Sequence, residues 1–448
     1  MGGERLRLVA RACLTVVAVA VILAMAPAWL ALLRPDPAKP RDFFQDYASA
    51  RNLLAGRPVY ESQAVTLRDY LGLDTGERRV NVAYNAHPPT SVLLALPLAG
   101  LDYSTAGWWW NVLSLVLLAG SLAALAHGVG WRPTGWAVAP ALALLLTWVP
   151  LWLHTLQGQL GLVLLALFTA AWAAGRRGHA GWAGTCLGLA ATIKLFPVLL
   201  LGLPALHGRW RGVAAGAGAG LLATAATLLI TGPQAYVDYR TSVIPNLDRW
   251  RPDWINASLT GFFARLFAPD ATTAPLLASP LLAAALTAAA GLAVIAAVVW
   301  RARRRHGAED FDGEYALALT ALLLLSALTW SHYFVVLLIP LVIWARRLWL
   351  AGRAAAGRWA MLAVTWGLMA LPQLDLARAL IPTGVASPAL ALTVLSLNFY
   401  GLLGFFIAQV WWLAPAAARA GSTAARPATA QAAARPEPRA AALSAGER

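Results

Sequence analysis

The stretch that decides the fold is "CLTVVAVAVILAMAPAWLALL", residues 13–33, in which no side chain is charged. About 20 consecutive apolar residues, wound as a helix, are enough to cross the hydrocarbon core of a bilayer. A backbone inside lipid must satisfy its own hydrogen bonds, so the stretch is predicted to be helical. It is too long for the core of a signal peptide and ends without a clear Ala-x-Ala site. We interpret it as a retained first span, although an uncleaved signal anchor has the same pattern.

The rest of the chain repeats this pattern. Of its 448 residues, 59% are hydrophobic and 12% are charged, whereas a soluble domain has about 25% charged residues. Further apolar runs of similar length lie at 106–128, 134–153, 159–175, 211–231, 280–300, 314–330, 333–350, 358–373 and 389–413. Two more, 88–101 and 180–206, contain prolines that do not suit a simple crossing. The sequence therefore predicts an all-α polytopic membrane protein, with about 10 full spans plus re-entrant or half-spanning segments.

The net charge of +15 comes from arginines that lie in short clusters between the apolar runs and in the C-terminal tail. This pattern indicates membrane topology, with cytoplasmic loops enriched in Lys and Arg, and does not favour nucleic-acid binding. If 88–101 and 180–206 are re-entrant, every cluster faces the cytoplasm. Residues 1–11 are then a cytoplasmic N-terminus and 12–413 the transmembrane domain. The Ala/Pro/Arg-rich residues 414–448 are predicted to be a disordered cytoplasmic tail.

The same topology places most polar loops on the external face, including loop 34–85. Within that loop, "RDFFQDYASARNLLAGRPVY" (41–60) has the pattern of an amphipathic helix at the outer interface. Asp42 and Asp46 are four residues apart and would share one face of that helix. A partly buried carboxylate has a raised pKa, which suits a general base. Alternatively, each is a solvated acid paired with Arg41 or Arg51.

Lys194 is the residue that stands out most by composition. The 35 Lys and Arg of the chain include only two lysines, Lys39 and Lys194. Lys194 lies inside an apolar segment, where an ionisable group is costly and usually functional. Pro197 breaks the helix just after it, and a compact ammonium there would suit a phosphate. The alternative is a lysine that reaches out of the bilayer to the interface.

Three further polar positions lie at junctions between loops and apolar runs. His332, in "LTWSHYF", is a candidate proton handler or phosphate ligand, or an interfacial residue beside the aromatic Trp330 and Tyr333. His87, in "NAHPPTS", and Gln159, in "QGQLG", precede predicted helix starts. Free N–H groups at such starts favour an anion, although plain helix capping explains the residues equally well.

One competing motif is predicted on the opposite, cytoplasmic face. "EDFDGE" (309–314) contains Asp310-x-Asp312, a spacing that can hold a divalent metal and a nucleotide diphosphate. It directly follows an arginine cluster, so an acidic patch that pairs with those arginines is the simpler interpretation.

Taken together, these segments resemble glycosyltransferase family 87, the polyprenyl-phosphate-mannose-dependent transferases with a GT-C type membrane fold. The resemblance covers roughly residues 40–400. It rests on the order of "DFFQDYASARNLLAGRPVY", "HPPTSVLLALPL", "GQLGLVLLAL", "AGTCLGLAATIKLFPVLLL" and "SALTWSHYFVVLLIPLV". The resemblance implies that Asp42 is the base, and that Lys194 and His332 occupy the family's lysine and histidine positions.

The chain departs from the family's pattern at three places. Asp46 replaces a usual tyrosine, His87 replaces the first residue of a Tyr-Pro-Pro pattern, and Leu160 stands where an asparagine often follows Gly-Gln. These departures bear on the sugar and the acceptor more than on the reaction type. The candidate residues for substrate binding are Asp46, Tyr47, His87, Gln159 and Trp330.

The resemblance and the residue chemistry predict the same reaction. A hexose, probably mannose in this family, would move from a polyprenyl-phosphate donor to an external hydroxyl of a glycolipid or glycan, with inversion. Asp42 would be the base, Lys194 and His332 would bind the phosphate, and no metal or other cofactor is expected. The protein would then be a multi-pass cell-membrane enzyme. We expect Asp42, Lys194 and His332 to line one outward-opening cavity.

Two other functions also fit the sequence. A secondary transporter could use the same broken helices and membrane lysine, and a nucleotide-sugar transferase could use Asp310 and Asp312. A polytopic scaffold without catalysis would leave Lys194 unexplained.

Overall fold

A computed structural model describes residues 2–74, 84–132, 134–304, 308–381 and 384–412, and the predicted tail 414–448 lies outside these residues. Within them the chain is helical, apart from loops and one parallel bridge between Thr273 and Ala386. The α-helices are α1 (Gly2–Leu33), α2 (Phe43–Leu54), α3 (Gln63–Leu71), α4 (Pro89–Ala95), α5 (Tyr103–Gly128), α6 (Gly135–Leu146), α7 (Val149–Gln157), α8 (Gly161–Arg176), α9 (Ala180–Ile193), α10 (Gly202–Leu206), α11 (Trp210–Thr231), α12 (Pro233–Asp238), α13 (Ile244–Leu247), α14 (Leu259–Phe267), α15 (Pro280–Arg303), α16 (Ala308–Leu325), α17 (Leu338–Ala351), α18 (Ala356–Met369), α19 (Gln373–Leu380), α20 (Pro388–Leu392) and α21 (Leu397–Trp412).

Shorter helical turns link these helices. The 3₁₀ turns are Leu96–Leu98, Phe196–Leu201, Asp248–Trp250, Ser331–Leu337, Gly352–Ala355 and Val394–Ser396, and a π-helical turn covers Tyr239–Val243.

The all-α, multi-pass membrane fold predicted from the sequence is confirmed. In the described part of the chain, six helical segments are long and apolar enough to cross a bilayer: Gly3–Leu33, Tyr103–Gly128, Trp210–Thr231, Pro280–Arg303, Ser331–Met369 and Pro388–Trp412. In three of them, only 11% of the apolar window is buried inside the protein. Their apolar side chains therefore face outward, as lipid contact requires. The count of about 10 spans stays a prediction.

The predicted span 134–153 is not one straight helix. It consists of α6 and α7, which meet at an angle of 60° and would make a seventh span if counted together. Pro150 in the first turn of α7 has no N–H to donate back to α6, so the helical ladder cannot continue through the junction. The bend brings the C-terminal end of α7, with Gly158 and Gln159 after it, into the protein interior.

The break predicted in segment 180–206 is present. Helix α9 ends at Ile193, Lys194 is extended with φ −140° and ψ 141°, and a 3₁₀ turn begins at Phe196. Glycines let α9 lie unusually close to α11. A Cβ on Gly188 would come within 2.0 Å of the Gly216 carbonyl oxygen, a distance no side chain can tolerate. This packing fixes the end of α9, from which Lys194 projects.

Helix α2 lies in the segment predicted to be an amphipathic interfacial helix, and the protein covers more of it than that pattern indicates; its position at the membrane interface stays a prediction. Its buried residues are Phe43, Phe44, Gln45, Asp46, Tyr47, Ala48, Ser49, Ala50 and Asn52, so both its apolar and its polar sides are covered. The polar side is covered by loop 84–88 and helix α4, which supply hydrogen-bond partners that the sequence pattern did not reveal. Helix α4 and the 3₁₀ turn after it are short, as expected for the predicted half-spanning segment 88–101.

Helix α8 separates two buried polar clusters. Gln159 lies just before its first residue and Arg176 is its last. At a rise of about 1.5 Å per residue, the two ends are roughly 24 Å apart. The Lys194 cluster at the first end consists of Asp42, Asp46, His87, Gln159, Lys194 and His332. The Glu314 cluster at the other end consists of Arg176, His207, Asp312 and Glu314.

Candidate active site

Three side chains of the Lys194 cluster form one continuous hydrogen-bonded chain. Gln159 Nε2 donates to Asp42 Oδ2 at 2.6 Å, and Lys194 Nζ donates to Gln159 Oε1 at 3.3 Å. A single amide therefore links the carboxylate predicted as a base to the ammonium predicted to bind a phosphate. Gln159 and Lys194 are both buried, and Asp42 is partly exposed.

The position of Gln159 depends on the glycine before it. Gly158 ends α7 with φ +63°, a conformation that other residues rarely adopt. A Cβ at Gly158 would also come within 2.6 Å of Phe43 Cβ. The Gly158 carbonyl accepts a 2.8 Å hydrogen bond from Trp110 Nε1. The turn therefore lies directly against the start of α2, and this contact brings Gln159 to Asp42.

Lys194 is buried among aromatic as well as polar groups. Only 6% of its surface is exposed, and Nζ lies 3.9 Å from the centroid of the Tyr333 ring. That ring stacks on Phe196, which follows the break after α9. The face of an aromatic ring attracts a cation, so the Tyr333 ring partly stabilises the buried Lys194 ammonium without a paired anion. The ammonium therefore keeps N–H groups that can donate hydrogen bonds to a ligand.

Asp46 and His87 form a second pair beside this chain. His87 Nδ1 lies 2.8 Å from Asp46 Oδ2, while Asn85 Nδ2 and Ser91 Oγ both donate to Asp46 Oδ1 at 3.1 Å. Two positions at which the sequence departs from the family pattern, 46 and 87, are therefore one contact in the folded protein. The sequence analysis missed Asn85 and Ser91 as functional residues, although both flank the His-Pro-Pro segment.

Their surroundings shift the pKa values of the two aspartates in opposite directions. Burial raises the pKa of Asp42, and the hydrogen bond from Gln159 and the charges of His87 and Lys194 offset this only in part. Burial also acts to raise the pKa of Asp46, but the charge of His87 and hydrogen bonds from His87, Asn85 and Ser91 outweigh it and lower that pKa. Asp42 is thus the better proton acceptor, and Asp46 remains ionised.

His332 lies at the same site, inside the protein. It is close enough to Lys194 and His87 to interact with them electrostatically, and Nε2 is buried without a hydrogen-bond partner among the described residues. The segment before it is held by two asparagines: Thr329 N donates to Asn256 Oδ1 and Ser331 Oγ donates to Asn398 Oδ1, both at 3.0 Å. An unpaired buried imidazole nitrogen is costly unless a ligand engages it.

The remaining candidates lie at the edge of the site. Tyr47 packs between Phe43 and Tyr103, and its hydroxyl donates to the Leu101 carbonyl at 2.7 Å, which indicates a structural role. Trp330 is half-buried and makes an edge contact with Trp250. The structure thus brings Asp42, Asp46, His87, Gln159, Lys194 and His332 together, and leaves these two aromatic residues beside them.

One cleft is lined by the residues on either side of Asp42. Its lining includes Arg41, Phe43, Trp110 and Gly158, but not Asp42, Lys194 or His332. The expectation that those three line one outward-opening cavity stays a prediction. The Gln159 side chain occupies the space between the carboxylate and the ammonium.

The Glu314 cluster contains the acidic motif of the alternative function. Asp312 Oδ1 accepts from Trp172 Nε1 at 2.9 Å and lies 3.4 Å from Arg176 Nε. Glu314 Oε2 lies 2.8 Å from His207 Nε2. In the described ranges, no group of three or more His, Cys, Asp or Glu side chains is arranged to hold a metal ion. Asp312 thus has protein partners, but they are Trp172 and Arg176, and pairing of the motif with the arginine cluster directly before it stays a prediction.

Comparison with known proteins supports the family suggested by the sequence. The family described as Glycosyltransferase family 87 matches residues 85–327, which is more than half of the chain. The chain belongs to glycosyltransferase family 87. The match includes His87, Gln159 and Lys194, and ends before His332.

Two named relatives are similar over about two thirds of this family 87 chain. A polyprenol-phosphate-mannose-dependent alpha-(1-2)-phosphatidylinositol pentamannoside mannosyltransferase of Mycolicibacterium smegmatis is 30% identical over 64% of this chain and 65% of its own length. A polyprenol-phosphate-mannose-dependent alpha-(1-2)-phosphatidylinositol mannoside mannosyltransferase of Mycobacterium tuberculosis is 28% identical over 66% of this chain and 69% of its own length. The chain therefore spans about two thirds of each.

Two solved structures are also similar to this family 87 protein. ArnT from Cupriavidus metallidurans in the apo state covers 89% of the chain, with 18% identity and a TM-score of 0.35, and the alignment takes in 76% of ArnT. The same protein bound to undecaprenyl phosphate covers 89%, with 19% identity and a TM-score of 0.37, and the alignment takes in 77%.

Proposed function

We propose that this family 87 protein is a membrane glycosyltransferase that moves a hexose, mannose in the first instance, from a polyprenyl-phosphate donor to an acceptor hydroxyl. The observation that supports it best is the chain from Asp42 through Gln159 to Lys194. In it, one amide separates the carboxylate that we propose as the base from the ammonium that we propose to bind the phosphate. Both named relatives depend on polyprenol-phosphate-mannose.

The positive side of the site stabilises the leaving group. When the bond between the anomeric carbon and the phosphate oxygen breaks, the bonding electrons stay on the phosphate, which departs as polyprenyl phosphate. Lys194 can meet this charge because it is buried, and an electrostatic contact in a low-dielectric site is strong. His332 Nε2, buried without a protein partner in the described residues, supplies a second contact.

The negative side of the site activates the acceptor. The acceptor hydroxyl oxygen forms the new bond to the anomeric carbon while its proton passes to the Asp42 carboxylate. The raised pKa of Asp42 suits this step, since a base with a pKa nearer the working pH drives proton transfer better. The oxygens attack and leave on opposite sides of the sugar, so one displacement inverts the anomeric centre.

Gln159 links these two sides in the absence of substrate. The sugar and phosphate must lie between Asp42 and Lys194, the space that the amide now spans. Substrate binding therefore requires Gln159 to release at least one of its two hydrogen bonds. Its amide can then donate to a sugar oxygen and accept from the ammonium.

The proposed site faces the outside of the cell membrane. The arginine clusters assign the opposite end of α8, with Arg176, to the cytoplasm. A lipid-linked donor suits this location, because its chain lies in the outer leaflet while its sugar enters the protein. The acceptor is a glycolipid or glycan at that face, and the reaction proceeds without a metal or other cofactor.

The test is transfer of radiolabelled mannose from polyprenyl-phosphate mannose to phosphatidylinositol mannosides, the lipid class named for both relatives, by purified protein. We expect transfer by the wild type, with or without EDTA, and a loss of at least about 100-fold in Asp42→Asn, since a positioned base contributes about 10²–10⁴-fold.

Asp36→Asn is the matched control, because Asp36 is an exposed acid of the same loop. It should keep wild-type activity. Full activity in Asp42→Asn would refute the assignment of the base, and substrate flux across vesicles without sugar transfer would favour a transporter.

A further inference from the structure

The Asp46–His87 pair contains a histidine whose protonation pattern the structure dictates. Asp46 has a lowered pKa and is ionised, so the atom of His87 that faces it must carry a hydrogen. That atom is Nδ1, 2.8 Å from Oδ2. The imidazolium form, whose charge lowers the pKa of Asp46, would donate at Nε2, whereas the neutral form keeps its hydrogen on Nδ1 and has a lone pair at Nε2 that accepts hydrogen bonds. A carboxylate that holds a histidine in this tautomer leaves Nε2 chemically available.

Nε2 of His87 is available in space as well. Among the described residues it has no hydrogen-bond partner, yet it is not one of the fully buried unpaired atoms, and 9% of the side chain is exposed. His332 Nε2, in contrast, is sealed. The edge of the His87 ring opposite Asp46 therefore reaches open space.

The backbone around His87 is tied down on both sides. Its carbonyl accepts a 2.6 Å hydrogen bond from the Tyr60 hydroxyl, and the neighbouring Ala86 N donates to Gln45 Oε1 at 2.8 Å. Its own N–H donates to Asn85 Oδ1 at 3.0 Å. A side chain fixed at both the backbone and Nδ1 presents Nε2 in one direction, which is the property of a preorganised binding group.

The pair lies close to the residues of the proposed chemistry. His87 interacts electrostatically with Asp42 and His332, and Asp46 interacts with Lys194. The pair therefore lies within range of both the base and the phosphate-binding cation. A side chain at this position would contact the sugar, because the sugar has to lie between Asp42 and Lys194.

We propose that Asp46 and His87 form a saccharide-binding dyad, in which His87 Nε2 accepts a hydrogen bond from a sugar hydroxyl and Asp46 is the positioning residue that holds His87 in the required tautomer. The proposal rests on the proposed function, because it needs a saccharide at this site. The hydroxyl belongs either to the donor sugar or to the acceptor glycan, and these share the same chemistry.

Two substitutions of His87 separate binding from structural support. His87→Asn keeps a polar atom near the Nδ1 position, facing Asp46, but has nothing at Nε2. His87→Gln keeps a polar atom near Nε2 but loses the contact with Asp46. If His87 binds a hydroxyl, His87→Asn should raise a KM by roughly tenfold or less, as expected for one hydrogen bond. His87→Gln should recover part of that loss despite a lower melting temperature.

Asp46→Asn tests the tautomer. An amide at position 46 can turn its NH₂ group toward Nδ1, which would move the hydrogen to Nε2 and convert an acceptor into a donor. We expect the same KM to rise in this variant, while the melting temperature changes little because Asn85 and Ser91 can still donate to the amide oxygen.

The KM values are measured separately for polyprenyl-phosphate mannose and for phosphatidylinositol mannoside, together with the melting temperature of each variant. A rise confined to the first KM assigns the hydroxyl to the donor sugar, and a rise confined to the second assigns it to the acceptor. If both KM values of His87→Asn equal those of the wild type, or if only the melting temperature moves, the dyad is structural and the proposal is wrong. An inactive wild type would instead refute the proposed function.

Discussion

The two ends of helix α8 hold polar clusters that differ in how their carboxylates meet basic side chains. In the Glu314 cluster each carboxylate directly contacts a basic side chain, His207 for Glu314 and Arg176 for Asp312. In the Lys194 cluster Asp46 likewise contacts His87, but an uncharged amide stands between Asp42 and Lys194. Among the described residues, Asp42 and Lys194 are therefore linked by hydrogen bonds only through Gln159.

The difference shows why buried charge by itself does not identify a functional site. Two paired ions cost less to bury and have little left to offer a ligand. A carboxylate and an ammonium separated by the length of one amide each keep capacity for a ligand that fits between them. The Lys194 cluster also contains an imidazole nitrogen, His332 Nε2, that no described protein group satisfies.

The largest effect should come from removing the ammonium. Lys194→Met preserves length and apolar bulk but leaves the departing phosphate without its cation. We expect kcat for mannose transfer to fall by about 10²–10³-fold, as when one preorganised electrostatic contact is lost. Lys39→Met, at the only other lysine and on the exposed loop, is the control and should be active. Equal kcat values for the two variants would contradict the role of Lys194.

A substitution in the Glu314 cluster should lower the stability of the protein and leave catalysis unchanged. Glu314→Gln removes the carboxylate that His207 contacts, and losing a hydrogen bond to a buried charged group costs about 1.5–3 kcal/mol. We expect a lower melting temperature in detergent and an unchanged kcat per folded molecule. The exposed pair of Asp248 with Arg251 gives the comparison, since Asp248→Asn should cost about 1 kcal/mol or less. A selective loss of transfer in Glu314→Gln would mean that this end of α8 is also functional.

A smaller effect is expected from cutting the amide link. Gln159→Leu has a similar volume and cannot bridge Asp42 to Lys194, so kcat should fall by roughly tenfold, the value of one or two hydrogen bonds. Gln159→Glu should be worse, because a second carboxylate would face Asp42. Both are measured as kcat alongside melting temperature. An order reversed between the two variants would show that the bridge is not needed.

The smallest effect is a displacement of the pH profile. Asp42 must be deprotonated to act as a base, and burial raises its pKa above the ordinary 3.8. Transfer should therefore be lost, as pH falls, at a higher pH than for a solvent-exposed carboxylate. Gln159→Leu removes a hydrogen bond that lowers this pKa, so the acid limb of kcat should move further upward. A limb that stays in place or moves downward would exclude Asp42 as the titrating group.

Sequence reasoning anticipated which residues lie together better than what each one touches. Lys194 was predicted from the cost of an ionisable group at membrane depth, and Asp42 and His332 from their positions outside or at the end of a span and from the family resemblance; all three lie in one cluster. Gln159 was also a candidate, but as an anion-binding residue at a helix start. Its role as a link follows from the left-handed turn at Gly158 and the close approach of Phe43, which depend on contacts between distant segments.

What the sequence pattern left out has a physical origin in the same contacts. The mixed pattern of helix α2 did not reveal that partners from loop 84–88 and α4 cover its polar side, and its position at the membrane interface stays a prediction. Hydropathy predicted an apolar segment at 134–153 but does not register its 60° bend. A local sequence pattern indicates how a segment behaves in an average surrounding of water or lipid. The surroundings of these segments are instead other parts of the same chain.

By itself, the sequence determined that this chain crosses a membrane many times as helices, because long uncharged runs have no other stable state in lipid. It also determined the family, through motifs spread along the chain. Only the tertiary structure decided that Asp46 and His87 are one pair, and that an amide stands between Asp42 and Lys194. Hydrogen bonds of this kind join residues 35 to 117 positions apart, and no local propensity encodes such distances.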